Sequence, residues 1–198
     1  MTNLDEGYIK FDINWAREAF DFDQKIFEQI NSCRKELFDL NLIGAYPNGI
    51  GFGNISSRTS NSEFIISGSA TGNISDLKLS DYSLVRDFDI VKNKVDCIGL
   101  TKASSESMSH AIIYQSNPLI NTVIHIHHFK MWDKYIDILP TTSRNAKFGT
   151  PDIAFEIKKL VKSNSGIIIM GGHQEGVIAY GENLIETKKI LLTYYNKI

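Results

Sequence analysis

The stretch Val123-Ile124-His125-Ile126-His127 decides how the chain is read. Side chains of a strand alternate with a period of two, so His125 and His127 share one face while Ile126 and His128 take the other. Upstream stands Ala103-Ser104-Ser105-Glu106, and downstream Gly172-His173. Two imidazoles on one strand face, joined by a third from a distant loop, form the ligand set of a catalytic zinc that keeps one coordination position open. A His-x-His pair alone also suits two histidines satisfied by backbone and water. Only five histidines occur in the chain, and three of them belong to this set. The parts point to metal-assisted chemistry.

Working outward, Ser104 suits a helix N-cap with Glu106 in the first turn. Met108, Ala111, Ile112 and Tyr114 continue that helix toward Asn117-Pro118, where it must stop. Ile26, Ile30, Cys33, Leu37 and Leu40 recur at steps of four and three, an apolar stripe on one core helix running from Asp23 to near Asn41. Pro47, Asn48, Gly49, Gly51 and Gly53 make a turn-rich passage, followed by strand-like runs at residues 54–58, 63–66, 83–88 and 90–95 in hairpin-like succession. Beyond the histidines, Gly149-Thr150-Pro151-Asp152 opens a helix through Val161, with proline in its first turn. Residues 167–170 form a continuous apolar run typical of a buried strand, residues 177–180 pair with it, and residues 182–195 close the chain as a helix. The expected layers are helix, sheet, helix in one α/β body over residues 24–198. Residues 1–23 precede it as an amino-terminal arm rich in acids and aromatics (Tyr8, Phe11, Trp15, Phe20, Phe22), placed to pack on the body or on a neighbouring subunit.

Composition narrows the function classes. With 198 residues the chain suits one domain, or one with a small appendage, and is long enough to bury a real core. A formal net charge of -2 with interspersed lysines and acids leaves no basic stripe, so nucleic acid is not the expected partner. The first residues carry acids where a signal peptide needs cations and an apolar run. No later apolar stretch approaches the ~18 residues of a spanning helix, so a soluble, cytoplasmic protein away from the membrane is expected. Cys33 and Cys97 have no CxxC spacing and are read as buried, reduced thiols.

Six motifs follow in one order: Gly53-Asn54-Ile55-Ser56-Ser57-Arg58, Ile65-Ile66-Ser67-Gly68, Ser104-Ser105-Glu106, His125-Ile126-His127, Gly149-Thr150-Pro151-Asp152-Ile153-Ala154, and His173 to Gly181. Together they resemble the signature of the class II aldolase/adducin family over roughly residues 25 to 195. The resemblance implies a three-layer α/β/α fold with a central, largely antiparallel sheet. It also implies a divalent metal, usually zinc, held by His125, His127 and His173. That ion polarises a substrate carbonyl and stabilises an enediolate when a neighbouring C–H or C–C bond breaks. Glu106 takes the family's general-base position; without the histidines it would read as an acid complementing a helix dipole. The resemblance further implies a homotetramer with the site at a subunit interface.

Phosphate binding has a reason of its own. Ser104 and Ser105 sit at an expected helix start, where free N–H groups and hydroxyls meet the positive end of the dipole. Asn54 and the Ser67-Gly68 turn complete the pocket if they follow the family, glycine letting the backbone approach the anion closely. Read separately, each segment is an ordinary polar turn. Arg58 reads as a structural ion pair, and His110 as a residue that orients Glu106, caps or packs.

Three departures matter. Gln174 and Glu175 intervene between His173 and Gly176, where relatives place glycine directly after histidine; Glu175 is then either an alternative ligand or part of the loop that carries His173 inward. No proline precedes Ser67. The family's proton-donating tyrosine falls on Ala146 in an ungapped carry-over, leaving Tyr135, Tyr180, Tyr194 and Tyr195 as substitutes. The leading expectation is a zinc-dependent aldolase-type lyase acting on a sugar phosphate or related hydroxy-carbonyl compound. The alternatives are an epimerase or dehydratase with the same metal and pocket, or an adducin-like interaction module without chemistry.

Overall fold

The computed structural model describes residues 8–60 and 62–198. In chain order the elements are β1 (Asp12–Ala16), α1 (Gln24–Asp39), the short strands β2 (Gly44–Ala45) and β3 (Gly51–Phe52), β4 (Asn54–Arg58), β5 (Phe64–Ser67), β6 (Tyr82–Asp89), β7 (Lys94–Ile98), α2 (Ser107–Ser116), β8 (Thr122–His127), α3 (Phe129–Tyr135), α4 (Pro151–Leu160), β9 (Gly166–Ile169), β10 (Gly176–Gly181) and α5 (Leu184–Tyr195). Among the described residues, eight strands form one sheet in the order β1-β7-β6-β5-β4-β8-β10-β9. Neighbouring strands are antiparallel except β1 and β7, which run parallel. The largely antiparallel sheet between two helical layers is the expected fold.

Strand alternation builds both cores. Val123 of β8 packs with Met108, Ile112, Ile153 and Ile157 of α2 and α4. Ile124 and Ile126 of the same strand pack on the opposite face with Ile30, Leu37, Met131 and Leu191 of α1, α3 and α5. His125 and His127, two and four residues from Val123, follow it to the α2 side. Asp23 caps α1 by accepting from the Ile26 amide at 3.0 Å. The stripe Ile30, Cys33, Leu37 is buried, while Ile26 and Leu40 at its ends are exposed.

Several local elements differ from these expectations. The strand expected at 90–95 starts four residues later, at Lys94, because residues 90–93 form a turn: Asp89 Oδ1 accepts from the Lys92 amide at 2.9 Å, and Asn93 takes φ 52°. Ile90 is apolar because it is buried under that turn, not because it lies in a strand. Helix α2 starts at Ser107 with Glu106 as its cap, so Ser104 stands ahead of the helix and Glu106 is not in its first turn. Helix α3 and strand β1 were not anticipated. Residues 12–16 of the segment read as an arm form β1 at the sheet edge, with Trp15 donating its indole N–H to the Gly99 carbonyl at 2.8 Å. Residues 1–7 of that arm lie outside the described residues. Cys33 and Cys97 are buried and unbridged, burial raising the Cys33 thiol to about 12. Among the described residues no helix is long and apolar enough to cross a membrane.

Candidate functional site

Strand β8 is central, so its neighbours decide what meets the histidines. Register places Asn54 of β4 opposite His125 on one side, and Ile178 and Gly176 of β10 opposite His125 and His127 on the other. The turn entering β10 carries His173: its amide donates to the Met170 carbonyl at 3.1 Å, and the Gly176 amide donates to its carbonyl at 2.9 Å. Gly172 makes that turn possible, since a Cβ there would meet the Ala146 carbonyl oxygen at 2.0 Å.

The three imidazoles converge. One ligand nitrogen from each of His125, His127 and His173 lies within 4.8 Å of the others, and the Nε2 atoms of His125 and His127 are 3.0 Å apart. All three rings are buried. Tetrahedral nitrogens at about 2.0–2.1 Å from a zinc would stand about 3.3 Å apart, inside the span found here. Burial first, then the nearby His173, holds His125 and His127 well below the ordinary imidazole range, so both are neutral bases at neutral pH. The donor set therefore fits a divalent cation. Its chemistry does not select zinc over its neighbours in the first transition series.

Glu106 reaches the same centre, with Oε1 3.7 Å from His173 Nδ1. Its other oxygen accepts from the Ser109 hydroxyl at 2.7 Å, an i, i+3 partner along α2. Ser109 therefore orients the carboxylate, a role the sequence reading offered to His110. His110 turns away: its Nδ1 faces Ser56 Oγ at 2.7 Å, that hydroxyl lies 2.6 Å from Tyr114 Oη, and burial lowers the imidazole to about 3. Arg58 donates to the carbonyls of Tyr114, Asn117 and Ile120 at 2.8, 3.1 and 2.8 Å, closing the carboxy-terminal end of α2.

Beside the histidines lies a cavity of about 200 Å³ lined by Asn54, Gly68, Ser104, Ser105, Glu106 and His125, with the loop 69–72 and Tyr8 at its wall. Asn54 donates from its amide nitrogen to Ser104 Oγ at 3.1 Å, and that oxygen also accepts the Glu106 amide at 3.3 Å. Ser67 does not join them: its hydroxyl accepts the Ile55 amide at 3.2 Å inside the sheet, and Gly68 brings only backbone to the cavity. The buried Arg34 fixes the cavity loop by donating to the carbonyls of Thr71, Ile74 and Ser75 at 2.9, 2.7 and 3.2 Å. Gly72 presses this loop against the β2 strand, where a Cβ would lie 2.1 Å from the Gly44 carbonyl oxygen.

Several neighbours of the cluster were not read from the sequence. Phe148 stacks on His173 at 4.5 Å between centroids, with Lys10 Nζ 3.7 Å from the Phe148 ring centre. Phe52 stacks on His127 at 5.5 Å. Tyr46 places its hydroxyl 2.9 Å from His127 Nδ1 and donates to Glu175 Oε2 at 2.7 Å. The motif Tyr46-Pro47-Asn48-Gly49 marked a turn, and nothing in it announced a partner 81 residues away. The tyrosines considered as acids, Tyr135, Tyr180, Tyr194 and Tyr195, do not line the cavity; Tyr8, which was not among them, does.

The profile of the class II aldolase and adducin N-terminal domain matches residues 45–132. The protein named "Probable L-ribulose-5-phosphate 4-epimerase UlaF" from Mycoplasma pneumoniae is 29% identical over 160 residues, 75% of this chain. The chain spans 63% of that relative's length. Among solved structures, an L-fuculose 1-phosphate aldolase superposes with a TM-score of 0.68 at 20% identity, over 89% of this chain and 84% of the other. The L-fuculose-1-phosphate aldolase from Thermus thermophilus gives 0.65 at 16% identity, over 88% and 91%. These two likenesses concern the fold.

Proposed function

Because the chain belongs to the class II aldolase and adducin family, we propose that it is a metal-dependent lyase of the aldolase type acting on a phosphorylated sugar or a related hydroxy-carbonyl compound. The observation that carries the proposal is the convergence of three buried histidines with a buried carboxylate 3.7 Å from one of them, beside a cavity that Glu106 and His125 both line. His125, His127 and His173 would hold the cation, zinc in this reading, which supplies Lewis-acid polarisation of a substrate carbonyl. Every other role belongs to the chain. Glu106, steered by Ser109, is the base that takes a proton from the substrate hydroxyl or carbon next to the carbonyl. Ser104 and Ser105 bind the phosphate through their hydroxyls ahead of α2, at the positive end of its dipole, and Gly68 lets the backbone approach the anion closely. Asn54 orients the Ser104 hydroxyl for that task. Ser67 enters as the residue that fixes the Gly68 turn, through its bond to Ile55.

A homotetramer in the cytoplasm accompanies this reading, with a neighbouring chain completing the cavity through residues 128–150 or α5. Residues 24–198 carry the metal-ligating, basic and phosphate-binding residues, and residues 12–16 form the sheet edge ahead of them.

A second reading, sugar-phosphate epimerase, is favoured by one observation, the naming of the 29% identical relative. One experiment tests both. Purified protein is analysed for bound metals and incubated with L-fuculose 1-phosphate and L-ribulose 5-phosphate, each with and without its phosphate. Metal-dependent release of an aldehyde supports the lyase, and inversion at one carbon without fragmentation supports the epimerase. No turnover by protein carrying a full complement of divalent metal overturns both, and equal turnover of the phosphate-free sugars overturns the anion pocket.

A further inference from the structure

We infer that Tyr46 and Glu175 are positioning residues that hold His127 in the tautomer carrying its proton on Nδ1, which leaves Nε2 as the donor atom. The inference rests on the three-histidine reading of the metal site and goes beyond it, since neither residue belongs to the ligand set.

The hydroxyl of Tyr46 has a single proton, and it lies 2.7 Å from Glu175 Oε2, a carboxylate oxygen that only accepts. With that proton engaged, the phenolic oxygen meets His127 Nδ1 at 2.9 Å as an acceptor, so Nδ1 is the donor of the pair. The lone pair then sits on Nε2, the atom 3.0 Å from His125 Nε2. His125 is arranged with the same polarity by a different device: its Nδ1 faces the Val177 carbonyl, another pure acceptor, at 3.3 Å. Outer acceptors of this kind fix the orientation and raise the basicity of metal-binding imidazoles.

Glu175 bears a second mark. It adopts φ +71°, a region that glycine enters freely and a glutamate enters at a cost. Its backbone is held there by the His128 amide, which donates to its carbonyl at 2.9 Å, and by the turn closed between Gly176 and His173. The two residues that separate His173 from Gly176 therefore do more than lengthen a loop. The turn that delivers His173 to the cluster also returns a carboxylate to the outer edge of His127. Tyr46 is set for its part by the β2–β3 hairpin, where its amide donates to the Ile50 carbonyl at 2.9 Å and its ring packs on Phe52 at 4.7 Å.

The test compares Tyr46→Phe, Glu175→Gln and Glu175→Ala with the parent protein, using zinc alone as probe in competition with a chromophoric chelator. Loss of an outer partner weakens metal binding by about 10- to 100-fold, and this is expected for Tyr46→Phe and Glu175→Ala. Glu175→Gln, whose amide oxygen still accepts, falls between. A second measurement is made on zinc-free protein labelled with ¹⁵N at histidine. Nitrogen–proton correlation spectra should show His127 protonated on Nδ1 in the parent, and a mixture of tautomers in Tyr46→Phe. Zinc affinity within about twofold of the parent in both Tyr46→Phe and Glu175→Ala, or an unchanged His127 tautomer, overturns the inference. If Tyr46→Phe fails to fold, Glu175→Ala decides, because it leaves the aromatic packing in place. If the parent protein binds no zinc, the metal reading fails, and the tautomer spectrum still decides the relay.

Discussion

The two faces of β8 are equally buried and differently held. On one, Ile124 and Ile126 are fully enclosed by α1, α3 and α5, and any side chain of similar volume and apolarity would serve. On the other, His125 and His127 are almost as inaccessible, at 1% and 3% exposure, yet they avoid charge and find directional partners for their Nδ1 atoms in the Val177 carbonyl and the Tyr46 hydroxyl. One strand thus separates the chain's stability from its chemistry by a single residue of register. A buried polar group is costly unless it is bonded, so the polar face must be specified residue by residue.

Substitutions on adjacent residues break this comparison most directly. His125→Ala should abolish stoichiometric zinc binding while the protein remains folded, read by elemental analysis beside circular dichroism; unfolding of this variant would make the metal structural. Glu106→Gln keeps the ligands and should lower kcat by about 10²- to 10⁴-fold, the size of a lost general base, with metal content unchanged. On the opposite face, Ile126→Ala should cost about 2–5 kcal/mol in denaturant unfolding, with zinc affinity of the folded protein retained. If Ile126→Ala instead releases the metal, the faces are not independent.

The smallest effect is a pH dependence. Burial lowers folded His110 to about 3, below its unfolded value, so its contribution is fully present above about pH 6.5 and is lost as pH falls from there toward 3. The expected loss for this group is at most about 1.4 kcal/mol per pH unit. His125 and His127, lowered in the same direction, add to it in metal-free protein. Urea unfolding of chelator-treated protein at pH 7, 6 and 5 measures the slope, and His110→Gln should make it shallower. A slope unchanged by that substitution would remove His110 from the account.

Much of the scaffold was legible because it repeats. The α1 stripe, the proline opening α4, and the apolar runs of β9 and β10 are periodic signals that need no tertiary knowledge. Edge strand β1 carries only Ile13 and Trp15 as its half-buried residues, too weak an alternation to stand out, and its parallel partner lies more than eighty residues away. Helix α3 is seven residues long with two buried positions, below the length at which a helical period can be recognised. The ligand set was legible because a strand puts His125 and His127 on one face automatically. Glu175 stood out only as an extra residue in the His173 loop, and its pairing with Tyr46 was not legible, since it depends on a hairpin and a turn 129 residues apart. Ser67 was assigned to the cavity by family likeness, but alternation turns its hydroxyl inward.

The parallel pairing of β1 with β7 bears on how molecules of this chain avoid one another. Without β1, residues 94–98 would present the open hydrogen-bonding edge of the remaining seven-stranded sheet, a template on which another chain can add a strand. In its place the outermost strand exposes Asp12, Asn14 and Ala16, a short edge with an acid at its start, which discourages further pairing. Colloidal behaviour is then governed by residues 12–16. A chain shortened through Ala16 should keep its three histidines together and yet form β-rich aggregates at concentrations where the full chain stays dispersed.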